Sequence, residues 1–137
     1  MADVIITATD VEVVGSTEGR LVQFGVAVTQ GQVVYRSTAD NKYYLANCGV
    51  STTARAVGIV ISNCAINTFG YILGTKNAVI NIGGTVAVGE IYVVSDTDGN
   101  IMPSTDLTSG QYLTVLGYAT TASNLVINIT DTQISHA

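Results

Sequence analysis

Large apolar side chains fall on every second residue through much of this chain. In Val22-Gln23-Phe24-Gly25-Val26-Ala27-Val28-Thr29 they are Val22, Phe24, Val26 and Val28, a spacing that puts them on one face of a β-strand. The same alternation predicts strands over residues 4–9, 11–14, 22–29, 32–37, 42–47, 56–62, 69–73, 78–82, 90–95, 112–120 and 125–130. Apolar residues spaced by three and four are nowhere sustained, and the best helical candidates are single turns near 52–56 and 106–110. Asp40-Asn41, Gly83-Gly84, Asp98-Gly99 and Ser109-Gly110 supply turn chemistry between the strands. Pro103, the only proline, follows a strand, where a missing N–H is harmless. Many short strands without helical crossovers predict an all-β fold, a small antiparallel β-barrel or sandwich. The 137 residues suit a single domain. Within it, residues 1–19 read as an N-terminal extended arm or edge strands, and 20–137 as the barrel or sandwich.

The pattern also repeats. Val28-Thr29-Gln30-Gly31-Gln32-Val33-Val34-Tyr35-Arg36-Ser37 is echoed by Val86-Ala87-Val88-Gly89-Glu90-Ile91-Tyr92-Val93-Val94-Ser95, and an Asp-containing turn follows each copy. A second echo matches Gly70-Tyr71 and Asn77-Ala78-Val79-Ile80-Asn81-Ile82 with Gly117-Tyr118 and Asn124-Leu125-Val126-Ile127-Asn128-Ile129, a strand, a turn and a strand in each. The two echoes have different offsets, which predicts an extra segment in the first half, around 59–68. Gly58 competes with Gly70 as the counterpart of Gly117.

Composition changes the picture on one point. Hydrophobic residues make up 47% of the chain but charged residues only 11%, against roughly 25% in ordinary globular domains. A surface built from Thr, Ser, Asn and Gly is poor in repulsion and suited to lying against other subunits. The net charge is −5 and the cations Arg20, Arg36, Lys42, Arg55 and Lys76 are scattered, which argues against a nucleic-acid partner. No apolar run reaches the roughly 18 residues of a spanning helix, so no membrane partner is expected. Asp3 stands where a signal peptide carries basic residues, so synthesis in a cytoplasm is expected.

The residues that could carry chemistry do not combine into a site. His136 is the only histidine and sits beside the C-terminus. Cys48 and Cys64 lack the spacing of a zinc site and read as buried free thiols, one disulfide being the alternative. Asp96-Thr97-Asp98-Gly99-Asn100 opens like a calcium loop, but Leu107 stands where the bidentate Glu belongs, so a hairpin turn is the better reading. Gly83-Gly84-Thr85 lacks the lysine of a phosphate loop. Asn128-Ile129-Thr130 fits a glycosylation acceptor but lies within a predicted strand. The seven tyrosines are spread over several strands without a tryptophan to complete a sugar platform. The expectation is a protein without catalytic residues, cofactor or metal, and not an enzyme.

The order of phrases from Val28 to Ala119 resembles the small capsid decoration (cement) proteins of tailed phages. It runs Gly-Gln-Val-Val-Tyr, an Asp turn, Tyr-Leu-Ala, Ala-Val-Gly-Ile-Val, Ile-Gly-Gly-Thr-Val-Ala-Val-Gly-Glu-Ile-Tyr-Val, Asp-Gly and Val-Leu-Gly-Tyr-Ala. The resemblance implies a structural virion protein, made in the host cytoplasm and carried on the outer capsid surface. It further implies a homotrimer that stabilises contacts between major capsid subunits, in several members with an N-terminal arm added to a capsid sheet. In this chain the candidate capsid-contact arm is Val4, Ile5, Ile6, Val11 and Val13, which are apolar and strand-prone. Ordinary edge strands of the chain's own domain are the other reading of these residues. The alternative functions are another virion β module, head-fibre or tail-associated, or a carbohydrate-binding β-sandwich.

Overall fold

The computed structural model describes residues 3–15 and 18–136. Of the arm region, Met1, Ala2, Ser16 and Thr17 therefore lie outside the described residues. Eleven strands are found among them: β1 (Val11–Val14), β2 (Arg20–Gln23), β3 (Val33–Arg36), β4 (Tyr43–Leu45), β5 (Ala56–Val60), β6 (Phe69–Leu73), β7 (Val79–Ile82), β8 (Ile91–Val94), β9 (Ile101–Pro103), β10 (Tyr112–Ala119) and β11 (Asn124–Ser135). Single 3-10 turns cover Ala8–Asp10 and Ser104–Asp106. The strands form two antiparallel sheets in the orders β1-β7-β11-β10-β8-β9 and β2-β6-β5-β3-β4. No closed barrel is found; the fold is a sandwich.

Alternation decides which side chains meet. The larger core takes Val33, Ile59 and Leu73 from the five-stranded sheet and Ile80, Leu125 and Ile127 from the six-stranded one. Their immediate neighbours Val34, Val60 and Ile72 belong to a second cluster with Val22, Phe24 and Val28. Adjacent strand residues point to opposite faces, so the five-stranded sheet is apolar on both. Its outer face is covered by the chain after β2. There Phe24 forms a parallel bridge with Tyr43, on the opposite edge of the same sheet, and the Gly25 N–H donates to the Tyr43 carbonyl at 2.9 Å. The expected strand over 22–29 is thus cut short. Its alternation is real, and beyond β2 pairing continues only at isolated points: Phe24 N–H donates to Thr68 O, and Val28 bridges Cys64.

The sandwich is a duplication. In the first half Val34 faces Leu45 on one side and Gly58 on the other; in the second, Tyr92 faces Pro103 and Gly117. Both halves carry a register shift at the same place, between Val34 and Tyr35 and between Val115 and Gly117. The connecting loops agree too. Gly31 N–H donates to Val60 O and Gly89 N–H to Ala119 O, while Asn41 and Gly99 take the same left-handed turn position, with φ of 61° and 77°.

The first echo in the sequence therefore follows the fold, and Gly58 is the counterpart of Gly117. The second echo does not. β10 and β11 form a hairpin within one sheet, whereas β6 and β7 lie in different sheets. The extra segment of the first half is the connection between β5 and β6, longer than the one between β10 and β11. Its residue Cys64 packs against the second cluster.

Three further expectations are corrected. Residues 4–9 are not a strand, because only Val4 and Thr7 of this stretch donate to neighbouring chain, and a 3-10 turn follows. β9 is an additional strand, three residues long and ended by Pro103. The helical turn expected at 106–110 falls instead at Ser104–Asp106.

The bulge glycines differ in what presses on them. A Cβ on Gly117 would run into the Val126 backbone carbonyl, whereas on Gly58 it would meet the Ile72 side chain. Gly117→Ala is therefore expected to destabilise the fold by about 1–3 kcal/mol and Gly58→Ala by less, as read from urea unfolding midpoints.

Candidate docking surface

The predicted contact residues divide sharply by direction. Val4 and Ile6 pack against the main core, Val11 is buried in β1 and Val13 is half-buried. Ile5 alone of the five turns out to solvent, 87% exposed. β1 is the edge strand of the six-stranded sheet, paired with β7 from Val11↔Ile82 to Val14↔Val79, and its other edge carries no strand among the described residues.

Ahead of it the arm runs extended along the second repeat. The Asp3 carboxylate accepts from Ser95 Oγ at 2.7 Å and Asn100 Nδ2 at 2.9 Å. Val4 N–H donates to Ile101 O and Thr7 N–H to Gly83 O, both at 2.8 Å. Gly83 and Gly84 are shaped for this: a Cβ on the first would meet the Thr7 carbonyl, and on the second the Ile5 carbonyl. In sequence this pair reads only as a turn. The arm that explains it lies far away along the chain.

A second surface escaped the sequence reading. Leu21 and Tyr71 face each other across β2 and β6, with Phe69 two residues along on the same face. They are 57%, 48% and 64% exposed, next to the open edge of β2. The alternation in Phe69-Gly70-Tyr71 marks the face, but nothing in it says that the opposing sheet stops short.

The remaining polar groups are engaged with one another. Asp96 Oδ2 accepts from Gln111 Nε2, and Asp98 Oδ1 from Asn47 Nδ2. Among the described residues no three His, Cys, Asp or Glu side chains could hold a metal ion. His136 is exposed, and its backbone N–H donates to Gln111 O. Both cysteines are free and Cys48 is buried, as expected; Cys64 is only half-buried, where burial was expected. Burial, then the nearby Asp96 charge, pushes the Cys48 thiol up to about 11.

The Tyr35 and Tyr44 rings lie 6.3 Å apart at 35°, too tilted to make one flat stacking platform. The Tyr44 hydroxyl donates to Asp40 Oδ2 at 2.7 Å. That bond, followed by the Lys42 N–H, lowers the Asp40 pKa, and the same bond raises that of Tyr44.

No protein-family model, curated protein or solved structure matches the chain.

Two measurements check this surface chemistry. The Asp40–Tyr44 contact supports the turn above the unfolded Asp pKa and is lost as pH falls through the lowered one. It is lost again as pH rises through the raised Tyr44 value. Asp40→Asn is therefore expected to bring the Tyr44 phenolate absorbance transition down toward about 10. A thiol reagent added to the native protein is expected to modify Cys64 well before Cys48, as read by peptide mass mapping.

Proposed function

We propose that this chain is a structural virion protein that binds the outer face of a tailed-phage capsid and stabilises contacts between major capsid subunits. It acts there as a homotrimer, without catalysis and without a cofactor. The observation that carries the reading is a charge-poor surface bearing grouped apolar side chains, Leu21, Phe69 and Tyr71. Isolated exposed apolar residues are ordinary, but a contiguous group on one sheet face is the mark of a protein-binding surface. The resemblance of its phrase order to capsid decoration proteins supports a major capsid protein as the partner, and the repeated strand unit that carries it offers a rigid scaffold. On a shell, several contacts made by one trimer act at high effective concentration, so each can be modest.

Purified protein mixed with capsids that lack it is expected to bind saturably, at a fixed ratio to the major capsid subunit, and to raise the shell melting temperature. Absence of shell binding, together with binding to a glycan array, would overturn this reading in favour of the carbohydrate-binding sandwich.

A further inference from the structure

The two repeats differ at one seam. In the first, the chain leaving β2 closes directly on β4: Gly25 N–H meets the Tyr43 carbonyl. By register the second-repeat counterpart of Tyr43 is Ile101, since Arg36 pairs with Tyr43 and Val94 with Ile101. The chain leaving β7 does not reach it. The Gly83 N–H turns back to Asn81 Oδ1, and the Ile101 carbonyl is taken by Val4 of the arm. The second repeat thus leaves a slot between Gly83-Gly84 and β9, and residues 3–7 lie in it as an extended segment.

The occupant is held by Val4 and Ile6, which pack against the main core, and by a short set of polar contacts. Two backbone hydrogen bonds and one carboxylate fix it. Clefts of about 700 and 260 Å³ flank it, the first against Val86, Tyr92 and Pro103, the second against Gln30 and Gly31 of the other repeat. Between the arm and β1 stands one 3-10 turn, closed by Asp10 N–H to Thr7 O. A terminal segment with sparse backbone pairing and a single-turn hinge belongs to the part of a fold that opens before the paired strands do.

We propose that this slot is a strand-acceptor site and that its arm is exchangeable for the arm of a second copy of this chain. The slot's chemistry already selects that segment. Ser95 and Asn100 read the acidic side chain, the Ile101 and Gly83 carbonyls take two N–H groups three residues apart, and the glycine pair admits only close backbone. Each chain offers one such arm and one such slot, so exchange replaces every contact with an identical one. Donor and acceptor surfaces differ, so the contact is heterologous and joins copies head to tail into a ring when the rotation closes. Exchange needs no capsid, and it stands or falls separately from shell binding. It would give the proposed trimer its connection.

Complementation between two full-length variants tests it. Gly84→Val blocks the slot with a side chain that meets the Ile5 backbone and leaves a free arm. Asp3→Ala with Val4→Pro removes the carboxylate and the N–H and leaves an open slot. Neither is expected to self-associate through the seam, while their 1:1 mixture is expected to sediment as a heterodimer. Two folded variants that remain separate when mixed at 100 μM, a concentration set here on the order of a modest tethered contact, would overturn the proposal. Where either variant fails to fold, a dye-labelled peptide of residues 3–10 is titrated into wild-type chain instead. Saturable binding, weakened about tenfold by Asp3→Ala in the peptide, supports exchange, and no binding at millimolar peptide overturns it.

Discussion

A sheet that is apolar on both faces has to be covered twice, and that requirement organises this molecule. Packing the sheets against each other satisfies Val33, Ile59 and Leu73. It does nothing for Val34, Val60 and Ile72, whose side chains emerge on the other side. The chain meets the second demand with the segment after β2, whose Phe24 and Val28 join that cluster. Phe24, fully buried, is the anchor of that cover in the first repeat, and the β5–β6 connection completes it. In the second repeat Tyr92, Ala119 and Leu125 belong to the main core, against which Val4 and Ile6 of the arm pack. Exposing any of these rows would cost about 1.5–3 kcal/mol per large side chain, so the loops are as much part of the core as the strands.

The all-β class, the sandwich option and most strand positions were legible because alternation is a local property. β6 was readable to the residue from Phe69-Gly70-Tyr71-Ile72-Leu73. What alternation could not supply was the partner. Residues 22–28 have the pattern of one long strand, but only four of the residues around Val22 find a neighbouring edge in β6. Phe24 and Val28 keep the same spacing because both pack into the second cluster, while their backbones pair with Thr68 and Cys64. The misread echo has a similar origin. Gly70 and Gly117 both precede tyrosine, yet Gly117 sits at a bulge pressed by Val126; Gly58 shares the bulge position, though the Ile72 side chain is its neighbour, and neither fact is visible in the phrase itself.

The arm was legible as apolar and strand-prone, and not as to where it lies. Its recognition elements are Ser95, Asn100, Gly83 and the carbonyl of Ile101, all distant in sequence and two of them backbone. Polar residues that look like candidate chemistry serve this architecture. Thr114, fully buried, donates its hydroxyl to Ala54 O, and Asn47 ties the Asp98 turn to the neighbouring strand connection. The ion pair from Arg55 to Asp131, at 4.0 Å, lies at the surface and adds little. Cohesion here comes from apolar burial and backbone pairing.

The pairing of β1 with β7, and of the arm with β9, has a consequence for synthesis. The ribosome delivers the N-terminal segment first, yet its partners lie in the second repeat and emerge only after the whole first repeat has left the tunnel. β3, β4 and β5 can pair as soon as they appear, because they are neighbours in sequence. Local contacts form early and distant ones wait. Residues 3–14 therefore stay without their partners until β7 and β9 emerge, and on a polysome other copies of the same apolar segment are close by.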